Sequence, residues 1–306
     1  MLNPDCPSTP SLRAAVPLPE ASPGRILNAL SVDVEDWFQV GAFEAVIGRD
    51  SWDELERRIE RNGSAVLDLF AEAGVKATFF TLGWVAERHP ALIRRAAEAG
   101  HEIASHGWDH KRVFTLGEDG FRDDLRRAHG AIADAAGVEP RGYRAPSFSI
   151  DARTPWAHRV LAEEGYCYSS SVAPLVHDHY GWREAPRFAH RPLPDSALIE
   201  LPVTTVELAG RRFAAGGGGF FRLLPYRLSS WAIGRVNAAE GRPAVFYFHP
   251  WEIDPGQPRV AGASLKSRLR HYSRLSAMRP KLLKLFRSHC WGRTDQVVAA
   301  EQARLA

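Results

Sequence analysis

The clearest strand–helix–strand pattern in the chain is Ala77-Thr-Phe-Phe-Thr-Leu-Gly-Trp-Val-Ala-Glu-Arg-His-Pro-Ala-Leu-Ile-Arg-Arg-Ala-Ala-Glu-Ala-Gly-His-Glu-Ile-Ala-Ser105. Its first six residues are rich in aromatic and β-branched side chains, which favours a strand. Residues 90–99 start with Pro90 and are followed by Gly100, a pairing typical of the two ends of a helix. Residues 101–105 predict the next strand. Strands that alternate with helices in this way predict a parallel α/β fold.

The alternation extends in both directions over more than 200 residues. Apolar periodicity and glycine stops predict further elements: strands at 26–33, 142–146, 166–170, 199–202 and 244–249, and helices at 61–73, 118–136 and 154–164. A chain of 306 residues is long enough for one barrel-type domain.

Composition divides the chain into three parts. Residues 1–24 are rich in Pro, Ser and Ala and predict a disordered leader. Residues 25–258 form the predicted barrel domain, in which the Pro-, His- and Gly-rich stretch 172–221 is interpreted as an irregular insertion that shapes a substrate groove. Residues 259–306 predict a basic, partly helical extension. It is interpreted as a solvated face or, alternatively, as a contact with an anionic membrane or a phosphorylated glycan carrier.

The overall composition excludes some classes of protein and predicts a cellular location. A net charge of +3 is too small to indicate nucleic-acid binding. The three cysteines are odd in number and widely scattered, so we expect reduced thiols. With neither a long apolar run nor a basic, apolar leader, we expect a cytoplasmic protein, with the surface of the inner membrane as an alternative location.

Polar side chains follow two of the predicted strands and have the chemistry of metal ligands. His106 and His110 are four residues apart in a polar loop, and Asp33, Glu35 and Asp36 end an apolar strand. Buried carboxylates need a cation or hydrogen bonds. Two imidazoles and one carboxylate predict a catalytic metal site, zinc first, with cobalt or nickel also compatible. The alternatives are a solvated acidic turn and capping or core histidines.

Two further residues are candidates for acid–base chemistry. Arg144 ends a predicted strand before an Ala-Pro turn, where its planar guanidinium can orient a carboxylate. His249 ends the apolar strand at 244–249 and is a candidate general acid. The alternatives are a surface arginine and a satisfied core histidine. Trp251, Glu252 and Asp254 follow closely and are candidates to line the pocket.

These motifs, in this order, resemble the NodB-like polysaccharide deacetylases, carbohydrate esterase family 4. The resemblance is carried by Thr78-Phe-Phe-Thr-Leu-Gly83, His89-Pro-Ala-Leu-Ile93 and Ala99-Gly-His-Glu-Ile-Ala-Ser-His-Gly-Trp-Asp-His110, and it extends from about Ile26 to Glu252. Three other segments more narrowly resemble the branch found with exosortase (PEP-CTERM) exopolysaccharide loci: Asp33-Val-Glu-Asp-Trp37, Gly218-Gly-Phe-Phe-Arg-Leu-Leu-Pro-Tyr226 and Phe248-His-Pro-Trp-Glu-Ile-Asp254.

The resemblance implies a fold and a role for each candidate residue. It implies a distorted (β/α)7 barrel, the NodB homology domain, with a long loop insertion. Asp33 would be the general base, His106 and His110 metal ligands, Arg144 the residue that orients the base, and His249 the general acid. The family's acidic motif has two adjacent aspartates, whereas Val34 occupies the second position here. The third ligand is therefore either Glu35 or Asp36.

The predicted function is that of a metal-dependent hydrolase. It would remove N-acetyl groups from hexosamine units of a polysaccharide or its lipid-linked precursor, in exopolysaccharide biosynthesis. One alternative is a metal-independent, allantoinase-like hydrolase that cleaves a C–N bond of a small cyclic amide. Another is a catalytically inactive, glycan-binding subunit of a biosynthetic complex. The expected partner is an N-acetylated glycan.

Overall fold

A computed structural model describes residues 25–176 and 180–305, so the predicted leader at 1–24 lies outside the described residues. Within these ranges the strands are β1 (Leu27–Val34), β2 (Thr78–Thr81), β3 (Glu102–Ser105), β4 (Gly142–Tyr143), β5 (Tyr168–Ser169), β6 (Ile199–Glu200), β7 (Thr205–Leu208), β8 (Arg211–Ala214), β9 (Val245–Phe248) and β10 (Cys290–Gly292). The α-helices are α1 (Ile59–Ala73), α2 (Gly83–Arg88), α3 (Pro90–Glu98), α4 (Val113–Ala136), α5 (Ala157–Glu163), α6 (Gly218–Leu223), α7 (Tyr226–Glu240), α8 (Leu265–Tyr272), α9 (Leu275–Ser288) and α10 (Thr294–Leu305). Three short 3-10 helices span Arg49–Glu54, Pro146–Phe148 and Pro250–Ile253.

The main sheet is parallel and centred on β1. Its strands follow the order β10-β1-β2-β3-β4-β5-β6, and β9 also pairs with β1. Ser31 and Val32 pair with both β2 and β9, so those two strands lie on opposite edges of β1. Ala29 pairs with both β9 and β10, which puts β10 on the same edge as β2. The expected α/β fold, a curled parallel sheet surrounded by helices, is confirmed.

The seam between β6 and β9 is filled by irregular backbone. Gly217 forms an isolated parallel bridge with Tyr247, and the Val245 N–H donates to Thr204 Oγ1 at 2.5 Å. At Gly216 a Cβ atom would lie 2.1 Å from the carbonyl oxygen of Val245. Glycine is therefore required at this position, because only a residue without a side chain lets the two backbones approach so closely.

The core forms between the sheet and the helices around it. On α1, Val66 and Phe70 are fully buried, and burial of each contributes roughly 1.5–3 kcal/mol. The helix ends at Gly74, whose φ of 66° is in the left-handed region that glycine adopts without strain. The predicted helix at 61–73 is therefore present and begins two residues earlier than expected.

Some elements differ from the sequence-based expectations. Helix α4 begins at Val113 instead of residue 118, with a break at Gly117, whose φ is 69°. The stretch 172–221 is less irregular than expected, because it contains β6, the antiparallel β7–β8 hairpin and most of α6. The basic segment after residue 259 contributes β10 to the main sheet. In the part of the chain described here, no helix combines the length and apolarity that a membrane span needs.

The cysteines correct one expectation. Cys290 is free, but Cys167 is disulfide-bonded. The prediction that all thiols are reduced is therefore wrong for Cys167.

Candidate metal and acid–base site

Three side chains converge where β1 and β3 end. Glu35 follows β1, and His106 and His110 follow β3. One ligand atom from each residue lies within 4.8 Å of the others, and all three side chains are buried. Parallel strands bring their carboxyl ends to one edge of a sheet, so residues 71 positions apart in sequence meet there. One carboxylate and two imidazoles are a ligand set that leaves positions open for water and substrate.

The two histidines are held as neutral ligands. Nδ1 of His106 lies 2.8 Å from the carbonyl oxygen of Arg144, and because a carbonyl only accepts, Nδ1 carries the proton and Nε2 the lone pair. Burial lowers the pKa of His106 to about 4. Burial also holds the pKa of His110 well below its usual range, and the neighbouring His106 lowers it further. At neutral pH each ring is therefore uncharged and keeps one nitrogen lone pair with which to bind a metal ion.

The turn that carries His110 is strained and supported by an arginine. His110 has a φ of 59°, which is uncommon for a residue with a side chain. Arg49, in the first 3-10 helix, donates to the carbonyl oxygens of Asp109 at 2.9 Å and His110 at 3.3 Å. Strain of this kind persists where the surroundings hold it, and it is concentrated at functional sites.

The structure separates the two alternatives for the third ligand. Oδ2 of Asp36 accepts main-chain N–H bonds from Arg58 at 2.7 Å and Ile59 at 3.0 Å, and Oδ1 accepts from Trp37 at 2.8 Å. Asp36 thus caps the start of α1, where main-chain N–H groups have no partner within the helix. It does not join the histidines, whereas Glu35 does. The geometry therefore places Glu35, and not Asp36, beside the two histidines.

The surroundings of Glu35 fit a cation. Its Oε2 lies 3.0 Å from Nε2 of His110, yet this buried oxygen accepts no hydrogen bond from the residues that the structure describes. Burial raises the pKa of Glu35 to about 7, and the positive charge of His249 only partly offsets that rise. A buried carboxylate oxygen without a donor and two neutral imidazoles form a set of electron-pair donors that a divalent metal ion would satisfy.

Arg144 binds the candidate base. Its Nη1 donates to Oδ1 of Asp33 and to Oγ of Ser31, both at 2.7 Å. Its Nε and Nη2 donate to the carbonyl and hydroxyl oxygens of Ser170, each at 3.0 Å. Arg144 is completely buried, so four fixed acceptors hold its guanidinium in one orientation. The charge of Arg144 in turn compensates the buried carboxylate of Asp33.

His249 faces the same cluster from β9. Its Nε2 lies 3.2 Å from Oε1 of Glu35, and its Nδ1 lies 3.2 Å from Oε2 of Glu252. Burial alone would lower the pKa of His249, but the carboxylates of Glu35 and Glu252 outweigh it and raise this pKa to about 9. The ring is therefore protonated at neutral pH. The side chain of His249 is 19% exposed, against 2% for Glu35 and 8% for His110, so the site opens on the side of His249.

Glu252 and Arg222 support His249 from behind. Glu252 also accepts the main-chain N–H of His249 at 3.0 Å, and the fully buried Arg222 donates from Nε to Oε1 of Glu252 at 2.8 Å. Burial alone would raise the pKa of Glu252, but Arg222 and His249 lower it to about 2. The ring of His249 also stacks on Trp251, with centroids 5.1 Å apart and planes 17° apart. The Nδ1 atom and the main-chain N–H of His249 thus both contact Glu252, and its ring face contacts Trp251.

Sequence reasoning brought together most of the site but missed part of its support. The structure places Asp33, Glu35, His106, His110, Arg144 and His249 at one edge of the sheet. Glu252 was expected only to line the pocket, and Arg222 had no expected role. The spacing of Glu252 three residues after His249 is the signal that indicates their pairing. Arg222 has no such signal, because it precedes Glu252 by 30 residues.

Two family profiles cover most of the chain. Residues 51–167 match the family described as "Polysaccharide deacetylase", and residues 170–299 match "Domain of unknown function (DUF3473)". His106, His110 and Arg144 lie in the first region, and His249 lies in the second. A site built from both regions means that the domain of unknown function contributes to the same cluster of residues as the deacetylase region.

Curated relatives match parts of the chain. A peptidoglycan-N-acetylglucosamine deacetylase from Bacillus cereus is 33% identical over 93 residues, which is 30% of this chain and 34% of the relative. A peptidoglycan deacetylase from Helicobacter pylori is 28% identical over 51% of each chain. A chitin deacetylase from Pestalotiopsis sp is 35% identical over 38% of this chain and 39% of the relative. The matches span between about a third and a half of these relatives.

Solved structures share the fold over nearly the whole chain. A "putative polysaccharide deacetylase" from Mycobacterium smegmatis superposes with a TM-score of 0.58 at 24% identity, covering 92% of this chain and 93% of the other. The Puue allantoinase superposes with a TM-score of 0.57 at 16% identity, covering 92% of this chain and 91% of the other. Profile, relatives and fold together support a relationship to the polysaccharide deacetylase family.

Proposed function

We propose that this protein is a metal-dependent hydrolase that removes N-acetyl groups from hexosamine units of a glycan. The observation that carries the proposal is the convergence of a metal-ligand set, a carboxylate held by a buried arginine, and a protonated histidine at one edge of the sheet. Amide hydrolysis needs these three elements: polarisation of the carbonyl, a base for water and an acid for the leaving nitrogen.

Glu35, His106 and His110 would hold the ion. A bound divalent ion supplies Lewis-acid polarisation of the acetyl carbonyl oxygen and stabilises negative charge that develops there. Zinc is the first candidate, and cobalt and nickel accept the same imidazole and carboxylate ligands.

Asp33 would take the proton of the attacking water. Arg144 fixes the orientation of Asp33 through the 2.7 Å bond to Oδ1, so the base does not need to reorganise during the reaction. A new C–O bond forms between water and the acetyl carbon while Asp33 accepts the water proton.

His249 would donate a proton to the leaving nitrogen. The carboxylate of Glu252 raises the pKa of His249 and so favours its acid form, and the position of His249 on the open side of the site puts it where a substrate enters. Cleavage of the C–N bond then releases acetate and a neutral amine on the sugar.

The substrate class is proposed from the relatives. The curated proteins that match are named for peptidoglycan and chitin, both polymers of N-acetylated hexosamines. The finer proposal, that the glycan is an exopolysaccharide or its lipid-linked precursor, depends on the resemblance of the segments 33–37, 218–226 and 248–254 to the exosortase-locus branch.

The test is acetate release from N-acetylated glucosamine oligomers by metal-free protein and by protein reconstituted with zinc, cobalt or nickel. We expect release only after reconstitution, and loss of both metal binding and release in His106→Ala. The matched control is His129→Ala, because His129 is a partly exposed surface residue paired with Glu139.

Each of the other outcomes would indicate a different function. Full activity of His106→Ala contradicts the proposal. Cleavage of a small cyclic amide that survives a chelator would instead indicate the allantoinase-like hydrolase. Glycan binding without acetate release from any oligomer would indicate an inactive binding subunit.

A further inference from the structure

Positive charge is concentrated in two segments of the chain. Residues 208–239 and 255–294 contain 15 of the 39 Lys and Arg residues and none of the 36 Asp and Glu residues. The rest of the chain therefore carries 24 cations against 36 acids. A net charge of +3 conceals this separation along the sequence. Acids from other segments offset part of it, since Glu72 on α1 pairs with Arg279 and Arg287.

The helices of the two segments contact one another. Nζ of Lys281 on α9 donates to the carbonyl oxygen of Leu224 at 2.7 Å, and Tyr226 on α7 donates to the carbonyl oxygen of Lys284 at 3.2 Å. Arg222 on α6 donates to the carbonyl oxygen of Ser273, which follows α8, at 2.7 Å. Helices α6, α7, α8 and α9 are thereby joined. We call a set of their exposed apolar and basic residues the basic face: Leu223, Arg227, Leu228, Trp231, Arg235, Leu265, Arg268 and Leu269.

The basic face also exposes large apolar side chains. On α8, Leu265 is 72% exposed and Leu269 is 59% exposed, and their i, i+4 spacing puts them on one side of the helix. On α7, Leu228 is 45% exposed and Trp231 is 44% exposed. In α8 the residue that is buried is His271, so this helix turns a polar ring inward and its leucines outward.

Cations stand beside these apolar side chains on both helices. On α8, Arg268 lies between the two leucines in sequence and is exposed. On α7, the guanidinium of Arg235 lies 6.0 Å from the ring centroid of Trp231, and Arg227 is exposed next to Leu228. Exposed leucine and tryptophan side chains next to cations are typical of helices that lie in the headgroup layer of an anionic membrane.

We infer that the basic face docks this protein on an anionic membrane surface. Nucleic acid or an acidic polysaccharide would be attracted by the cations but would not need exposed leucines. A second copy of the chain would cover the leucines but would repel the cations. An anionic lipid surface satisfies both features, since the cations meet phosphate groups and the apolar side chains enter the layer below.

The basic face adjoins the candidate site. At Gly218, the first residue of α6, a Cβ atom would lie 2.1 Å from Oε2 of Glu252, the carboxylate that supports His249. Helix α6 thus starts at the site and continues into the basic face, where Leu223 is 43% exposed. The docking itself does not depend on the proposed function, because none of the exposed residues belongs to the catalytic cluster.

The experiment is co-sedimentation of the full-length protein with vesicles of phosphatidylcholine alone or with 30% phosphatidylglycerol. We expect binding only to the anionic vesicles at about 0.1 M salt, and a loss of at least tenfold at 0.5 M salt, because screening shortens the reach of surface charge. Leu265→Gln/Leu269→Gln is expected to weaken binding at least tenfold, and Arg268→Gln by about threefold.

The control is Val138→Gln, which removes a 51% exposed apolar side chain outside the basic face. Circular dichroism shows whether each variant is folded, and zinc binding is expected to stay unchanged in all of them. The inference is overturned if both kinds of vesicle bind equally or not at all, or if the leucine variant binds like the control. It is also overturned if sedimentation velocity reveals a dimer that the leucine variant abolishes, since that would assign the face to a second copy.

Discussion

The adjacent acids Glu35 and Asp36 should have opposite roles, one in metal binding and one in stability. Both are buried, 2% and 1% exposed, so exposure does not distinguish them. Their partners do: Asp36 accepts three main-chain N–H groups, and Glu35 lies with the two histidines. Glu35→Gln and Asp36→Ala are therefore matched perturbations, one residue apart, of two different functions.

The loss of stability expected for Asp36→Ala follows from the main-chain donors that this substitution would leave unpaired. Loss of a helix cap costs about 1–2 kcal/mol, and a buried donor without a partner adds about 1 kcal/mol or more. With Ile59 N–H buried at the start of α1, we expect a loss of about 3 kcal/mol, or about 6 °C in Tm. Asp36→Asn keeps an acceptor and should restore most of that stability, and zinc affinity should be unchanged in both variants.

Glu35→Gln should do the reverse. It removes the anionic ligand itself and should weaken zinc binding by more than about 100-fold. A loss of about 100-fold is the upper range for changes to residues that only hold a ligand in position. Burial raises the pKa of Glu35 in the folded protein, so its charged form costs stability as the pH rises through about 7. The metal-free Gln variant should therefore be at least as stable as the parent at pH 8.

The assays are urea unfolding of the metal-free proteins and calorimetric titration with zinc. The ligand assignment is refuted if Asp36→Ala loses zinc affinity while its unfolding midpoint stays unchanged, or if Glu35→Gln binds zinc like the parent. A variant of Asp36 that loses both stability and affinity is resolved by Asp36→Asn, which should regain both if the cap is the cause.

Three other predictions concern the pH dependence and the acid–base residues. Because the pKa of Glu35 is about 7 and both imidazoles are neutral, zinc binding below pH 7 should release about one proton. The zinc affinity should therefore fall about tenfold for each unit by which the pH is lowered below 7. Calorimetry in buffers of different ionisation enthalpy measures the released proton, and a zinc affinity that stays constant from about pH 5 to 7 would contradict the prediction. Arg144→Lys should lower kcat by about 100-fold without changing zinc affinity, because lysine cannot make the same set of bonds that orients Asp33; equal losses in both quantities would assign Arg144 a purely structural role. Glu252→Gln removes a negative charge that raises the pKa of His249, so the alkaline limb of the rate profile should move to lower pH; a shift in the other direction, or none, would exclude Glu252 as the partner of the acid.

Local patterns in the sequence were sufficient to predict the edge at which the site forms. Glycine stops and alternating apolar runs identified β1, β3, β4 and β9, and the polar residues that follow them had to share one edge because the strands are parallel. The spacing of His106 and His110 identified the imidazole pair in the same way. These are properties of neighbouring residues, which sequence alone contains.

The third ligand and the support of His249 required the tertiary structure. Whether Glu35 or Asp36 joins the histidines depends on where the start of α1, 22 residues later in the chain, comes to lie, since its free N–H groups take the carboxylate of Asp36. Arg222 reaches Glu252 only because α6 folds against the segment after β9. The sequence determined which chemical groups this protein has at the sheet edge. Packing between distant segments decided which carboxylate accepts main-chain N–H bonds and which is left to bind a metal ion. The reason is that a buried oxygen needs a partner, and its partner is the donor or cation that lies nearest to it in the folded protein.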